Sequence, residues 1–484
     1  MASRRRNPYP GLIVVALVPA LLFGGCWRFA DGRAPDEVSV AVGGSIPVTS
    51  TPTTIDTPLL SVRRAPAVLS RKSNSVTFQS ELQPLLDSID SNSCFAISID
   101  GEPVAAVNET TPLRPASNVK LITAAVALEV LGEEFVYTTT VNGVVGAGGI
   151  VTGDLFLIGG GDPLLSNEWW DGPNQKFPPI NVTSMEAFAD AVKAAGVTAV
   201  TGSIVGDAAR YDDEWYLPTW APALRFSEGG PLSALLVNDS REAADLSSND
   251  PVVGAATVLT QLLQARGVTV GGPPKEGVAD GSPVVAKIDS QPLPAVLEEM
   301  LTTSDNNTAE LVLKEIGLAS GGEGTTVLGL SKVMSTLQEW GIPLDGVTLV
   351  DGSGLSDENR LTCQALLAVL QHGSVDDAVG QGLPLGGAEG GTLFDAFQEG
   401  EPLSGVLRAK TGTLDNTDGV ESKLGSKALA GYVPLPGGGA IEFALLLNGE
   451  TITNKSEYRP TWELLASILA AYPSGASPEV LAPR

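Results

Sequence analysis

A single histidine, His372, stands in the whole chain of 484 residues. A Ser-His-Asp triad would have to use it, and metal sites built from several histidines are excluded. Cysteine is as scarce. Cys26, Cys94 and Cys363 lie far apart and no C-x-x-C occurs, which excludes a zinc knuckle or a dithiol redox motif. Cys94 falls in a strand-like run and Cys363 near a helix start, and both read as buried thiols. Basic residues are outnumbered, with 29 Lys plus Arg against 56 Asp plus Glu for a net charge of −27. A field of that sign repels phosphate backbones and argues against nucleic-acid binding. It also repels small anions, so a substrate carboxylate needs a local pocket of positive charge. The acidic doublets Asp212-Asp213, Glu298-Glu299 and Asp376-Asp377 read as solvated surface rather than as acid/base pairs.

What is present begins with an export signature. Arg4, Arg5 and Arg6 precede an uncharged run from Asn7 to Trp27. A basic flank followed by an apolar stretch marks an exported chain, and about 20 apolar residues also suit a membrane anchor. No clean A-x-A cleavage site follows, and Phe23-Gly24-Gly25-Cys26 is a poor lipoprotein box. Residues 1–30 therefore read as an uncleaved or lipid anchor. Residues 31–75, rich in Ser, Thr and Pro, read as an extended linker that lifts a domain off the membrane.

From Val76 the pattern is globular. Phe78, Leu82, Leu85, Leu86 and Ile89 fit one helix face. CFAISID and PVAAVN flank Asp100-Gly101-Glu102 as a hairpin. The run Val119–Leu131 is apolar almost all round, with only Lys120 and Glu129 charged, which predicts a central buried helix. Residues 134–292 change character to short strand-like pieces with two helical stretches, an inserted α/β or mostly β module. Helices and then strands return over 293–484. Parts at 76–133 and 293–484 with an insertion between them predict one split α+β domain. Gly159-Gly160-Gly161-Asp162-Pro163 lacks a following Lys-Ser/Thr and reads as a turn. Asp351-Gly352-Ser353-Gly354 reads as a turn facing a cleft, without a catalytic role.

Three motifs carry chemistry. In Ser117-Asn118-Val119-Lys120 the two functional residues are three apart on one helix face. A lysine in a helix without a polar face is desolvated, and desolvation favours the neutral amine. That amine could take the Ser117 proton in place of the missing histidine. Ser304-Asp305-Asn306 offers a hydroxyl as proton relay to a leaving amine, and an amide to hold Lys120 or a substrate carbonyl. Lys410-Thr411-Gly412-Thr413 lies in a strand-like run. Lys410 supplies positive charge for a carboxylate, the Thr411 and Thr413 hydroxyls bond it, and Gly412 lets a substrate strand lie close. The Thr413 and Ser117 N–H groups can form an oxyanion hole.

SNVK, SDN and KTGT, in that order, resemble the motifs of serine penicillin-recognising enzymes. With GDLFLIGGGDPLL, LSALLVND, TSDNNTAELVLKEIG and DGSGLSDENRLT, the chain resembles the penicillin-binding protein 4 type, the class C D-alanyl-D-alanine carboxypeptidase/endopeptidases, over roughly Val76 to Tyr472. The resemblance implies a β-lactamase/transpeptidase-like domain with a five-stranded antiparallel sheet between helices, and an insertion between the first two motifs. It supports Ser117, Lys120, Ser304, Asn306, Lys410, Thr411 and Thr413 as site residues. It implies D,D-peptidase action on peptidoglycan stem peptides, β-lactams as covalent inhibitors and no cofactor or metal. Two departures stand out: the insertion is short, and the segment after Thr413 is longer than a tight hairpin. A β-lactamase or esterase on the same scaffold, or a silent wall-binding relative, remains open at this point.

Overall fold

The computed structural model describes residues 65–170, 177–225, 227–243, 246–416, 424–436 and 438–473. The export segment and the linker as far as residue 64 lie outside the described residues. Helices α1 (Ala65–Glu81) and α2 (Gln83–Ser88) lead into strands β1 (Ser93–Ile99) and β2 (Glu102–Val107), and then into the buried helix α3 (Val119–Leu131). Helix α1 begins inside the stretch that reads as linker. Phe78 is fully buried, and a helix anchored there extends backwards easily, because each added residue brings a hydrogen bond. No helix among the described residues is long and apolar enough to cross a membrane.

The next elements build a separate sheet. Strands β3 (Thr138–Asn142), β4 (Leu155–Ile158), β5 (Ile204–Asp207), β6 (Lys275–Glu276) and β7 (Val284–Asp289) are ordered β6-β5-β4-β3-β7. Helices α4 (Met185–Ala194) and α5 (Pro251–Ala265) cover it. Phe188, Leu259, Val141 and Leu157 fill the core between them. The chain then returns through α6 (Leu293–Thr303), α7 (Asn306–Gly321), α8 (Thr326–Glu339), α9 (Cys363–His372) and α10 (Ala378–Gly382). Strands β8 (Arg408–Leu414), β9 (Gly425–Pro434) and β10 (Ala440–Gly449) and helix α11 (Lys455–Ala471) end the fold.

The first and last strands join in one antiparallel sheet, ordered β8-β9-β10-β1-β2. Its side chains alternate between two cores. On one face the small Ala96, Ala428, Ala430 and Ala444 let α9 approach closely, and α3, α6 and α7 complete the same core. On the other, Phe95, Leu429, Phe443 and Leu445 meet Phe78 of α1 and Trp462 of α11. All seven residues of β1 are buried as a result. The expected five-stranded sheet between helices is therefore found.

Two readings are corrected by this packing. Cys94 on β1 and Cys363 at the start of α9 form a disulfide, with Cα atoms 6.0 Å apart and 269 residues between them in sequence. Only the docking of α9 on β1 brings them within bonding range. Glu299 is 3% exposed and not on a solvated surface. It sits on the inner face of α6, where Thr303 Oγ1 donates to its Oε1 at 2.9 Å.

Candidate active site

Ser117 lies in a single 3-10 turn, Ala116–Asn118, that runs into α3. Ala116 is held at φ +48°, a left-handed conformation that strains a non-glycine residue. Two glycines close on this turn. A Cβ on Gly354 (φ +84°) would overlap the Ala116 carbonyl oxygen. A Cβ on Gly412 would sit 2.8 Å from Pro115 O and 3.2 Å from Ala116 Cβ. Gly412 thus admits the nucleophile turn against β8, which is a different reason for glycine than room for a substrate strand.

Lys120 is fully buried in the first turn of α3. Its Nζ lies 3.0 Å from Ser117 Oγ, 2.5 Å from Asn306 Oδ1 and 2.9 Å from Ser353 O. The Asn306 amide is oriented by its other end, since Nδ2 donates to Glu228 O at 2.7 Å. Desolvation by burial pulls the Lys120 ammonium down from 10.5 to about 8, against the opposing charges of Asp305, Glu310, Asp351 and Glu228. First and second motifs therefore meet at one amine.

Ser304 is the left-handed C-cap of α6 at φ +70°. It lines a cavity of about 260 Å³ with Asn306, Glu228, Asp239 and Trp170. Among the described residues no hydrogen bond joins it to Ser117 or Lys120. Asp305 caps α7 by accepting from Thr308 N.

Lys410 is also fully buried, and its Nζ donates to Thr411 O at 3.0 Å. Burial, then the positive charges of Lys120 and Lys427, hold its ammonium well below the ordinary lysine range. Thr411 is buried and Thr413 exposed. Thr413 faces Lys427 across the β8–β9 register, and Lys427 Nζ donates to Thr413 Oγ1 at 2.8 Å. Lys427 also lies 4.5 Å from the Tyr458 ring centroid and 5.3 Å from that of Trp462, contacts favourable to a cation. The long segment after Thr413 falls mostly on 417–423, outside the described residues.

Several site-building residues escaped the sequence reading. Glu310, fully buried, accepts from Gly352 N at 3.0 Å and from Ser353 N at 2.8 Å. Asp351 accepts from Gly354 N, Ser356 N, Asn359 Nδ2 and Trp220 Nε1. Together they aim the Ser353 carbonyl at Lys120. Burial first, then the neighbouring Asp351 charge, raises the Glu310 carboxyl to about 8. The signal was present, because Glu310 lies four residues after Asn306 on the same face of α7. Lys427 carried no motif; only strand register identifies it.

Residues 90–241 and 233–470 match the profile of the D-Ala-D-Ala carboxypeptidase 3 (S13) family. A D-alanyl-D-alanine carboxypeptidase of Actinomadura sp. (strain R39) is 29% identical over 455 residues, covering 76% of this chain and 79% of that protein. Carboxypeptidase DacB of Mycolicibacterium smegmatis is 29% identical over 384 residues, covering 75% and 77%. The crystal structure of penicillin binding protein 4 (dacB) from Haemophilus influenzae has a similar fold, with TM-score 0.63 at 20% identity over 80% of this chain and 98% of that one. The same protein complexed with a β-lactam gives TM-score 0.57 at the same identity and coverage.

Proposed function

The chain belongs to the D-Ala-D-Ala carboxypeptidase 3 (S13) family, and from that membership we propose the part each site residue plays. The protein is a serine-type D-Ala-D-Ala carboxypeptidase. Ser117 Oγ attacks the carbonyl of the penultimate D-alanine while the neutral Lys120 amine takes the hydroxyl proton. The N–H groups of Ser117 and Thr413 stabilise the oxyanion. The proton passes to the departing D-alanine nitrogen by way of Ser304, and Asn306 keeps Lys120 in line. Water then cleaves the Ser117 ester. The same attack on a cross-link would make it an endopeptidase. The contact that carries this reading is the 3.0 Å approach of an amine lowered to about 8 to Ser117 Oγ.

The Cys94–Cys363 disulfide supports an oxidising, exported location. The basic and apolar segment of residues 1–30 would tether the domain to the outer face of the membrane, with peptidoglycan stem peptides as substrate. Since a β-lactam occupies the Haemophilus influenzae protein, penicillin should acylate Ser117 here. Mass spectrometry after incubation with penicillin is expected to find one covalent adduct on the peptide carrying Ser117 and none in Ser117→Ala. An unmodified wild-type protein would refute the reading. An adduct that clears within seconds would make the protein a β-lactamase.

The terminal carboxylate is met by the Thr411 and Thr413 hydroxyls, with Lys427 rather than the buried Lys410 as its cation. Thr413 Oγ1 accepts from Lys427 and keeps its own proton for the carboxylate. Lys427→Met is expected to lower kcat/KM roughly 10- to 100-fold on a peptide ending in free D-Ala-D-Ala, the worth of one charge-assisted hydrogen bond. Lys427→Arg should keep most of it. A C-terminally amidated peptide should hardly distinguish the variants, and an equal loss on both peptides would remove Lys427 from carboxylate recognition.

A further inference from the structure

A second cavity, of about 650 Å³, lies beside α5 and away from Ser117. It is of ligand-site size. Between it and the cavity at Ser304 runs a strap, Asn238-Asp239-Ser240, whose three residues all have left-handed φ, +58°, +53° and +59°. Consecutive non-glycine residues in that region are strained, and such strain persists only where the surroundings impose it. Here they do. Asn238 exchanges two hydrogen bonds with Asn167, at 3.0 and 3.2 Å. Asn307, next to Asn306, donates to Asp239 Oδ1 at 2.9 Å. The strap therefore shows Asp239 to the cavity at Ser304 and Asn238 and Ser240 to the second one.

Three further observations describe what would fill that space. Ser240 is 3% exposed, lines the cavity, and its Oγ has no partner among the described residues. A buried hydroxyl without a partner is costly, so a hydrogen-bonding group belongs beside it. Trp169, also in the lining, is 44% exposed, and its ring centroid lies 5.9 Å from that of Trp170 in the cavity at Ser304. The lining is otherwise nearly uncharged in a chain of net charge −27. Its only ionisable side chains are Arg241 and Asp250, and Asp250 is occupied in capping α5, accepting from Val252 N and Val253 N. Hydroxyls and amides, Thr257 and Gln261 among them, face one open indole. That combination suits a neutral ligand rich in hydroxyl and amide groups with an apolar ring face. Arg241 lines both cavities, so one extended substrate can occupy them together.

We propose that this second cavity is a saccharide subsite for uncharged N-acetylhexosamine units, and that it holds the glycan to which the stem peptide is attached while the peptide lies at Ser117. The inference rests on the carboxypeptidase reading for its biological sense, though not for its binding test.

Two measurements decide it. Chitotetraose, which carries no peptide, is expected to shift the tryptophan fluorescence of the wild-type protein but not of Trp169→Ala. It should also fail to bind Thr257→Tyr, which fills the cavity from the α5 side. D-alanine release is then compared on a pentapeptide ending in D-Ala-D-Ala and on the same peptide bearing an N-acetylglucosaminyl-N-acetylmuramyl disaccharide. Wild type should prefer the disaccharide form about tenfold, mainly through KM. Both variants should lose that preference while keeping their rate on the free pentapeptide within about twofold. No response to chitotetraose, or a parallel loss on both substrates, overturns the subsite. So does a fluorescence shift produced by a sugar-free cross-linked peptide dimer and not by chitotetraose, which would assign the cavity to peptide. Failure of the carboxypeptidase reading looks different: neither substrate would release D-alanine, whatever chitotetraose does.

Discussion

Alanine in place of Lys120 is expected to slow acylation of Ser117 by penicillin about a thousandfold, the middle of the range for loss of a positioned general base. Ser117 Oγ has no other amine or imidazole within hydrogen-bond reach among the described residues, and His372 is stacked on Trp340 rather than placed near the serine. Arginine should not rescue the variant, since a guanidinium stays protonated and cannot act as the base. The pH dependence follows from the direction of the Lys120 shift. In the proposed mechanism the active form is the neutral amine, and burial brings its titration down to about 8. In the wild type the acylation rate should therefore rise with pH up to about 8 and then level off, falling about tenfold per unit well below that. Stopped-flow acylation across pH 5.5 to about 9.5 would check both. A rate that is flat through this window, or an alanine variant that acylates within tenfold of wild type, would show that another group takes the proton. The alanine variant also leaves Ser353 O and Asn306 Oδ1 without their donor, so its melting temperature should be recorded beside its rate.

Loss of the Cys94–Cys363 bond should be the largest single stability change. The bond closes a loop with a sequence separation of 269 residues, and such a closure removes conformational freedom from the unfolded chain worth about 5.6 kcal/mol. The double variant Cys94→Ala, Cys363→Ala is expected to melt roughly 6 °C lower, allowing for the small shift per kcal/mol in a chain of this size. Its acylation rate at 25 °C should change little, because neither sulfur touches Ser117 or Lys120. Both cysteines are fully buried, so a reductant should not attack the folded protein and should lower the melting point only after a cycle of unfolding. An alanine pair melting within about 2 °C of wild type would show that the bond adds no net stability.

How far the sequence reached can be followed residue by residue. Ser117 and Lys120 could be paired because helical spacing is local, and the lack of a polar face on the helix already told that Lys120 would be desolvated. The β8 register needed only the alternation of a strand. The strained Ala116, in contrast, depends on Gly354 from a turn more than 200 residues later. Lys410 read as the positive charge of the site because a lysine in sequence carries its ordinary charge, whereas its burial beside two other cations disfavours that charge. Lys427 offered no local pattern at all. Glu299 looked like one half of an exposed doublet because nothing in its neighbours reveals which side of α6 faces inward, toward the cavity it lines with Asp239.

By itself the sequence determined the reaction chemistry available to this protein: a serine, a desolvated lysine and no usable histidine, with the lysine on a helix that is apolar at nearly every position. Only the tertiary structure decided which charges survive, which cysteines meet, and which backbone groups crowd the nucleophile. The physical reason is that helix and strand periodicity act over a few residues. Desolvation, disulfide reach and steric closure instead depend on groups brought together from opposite ends of the chain.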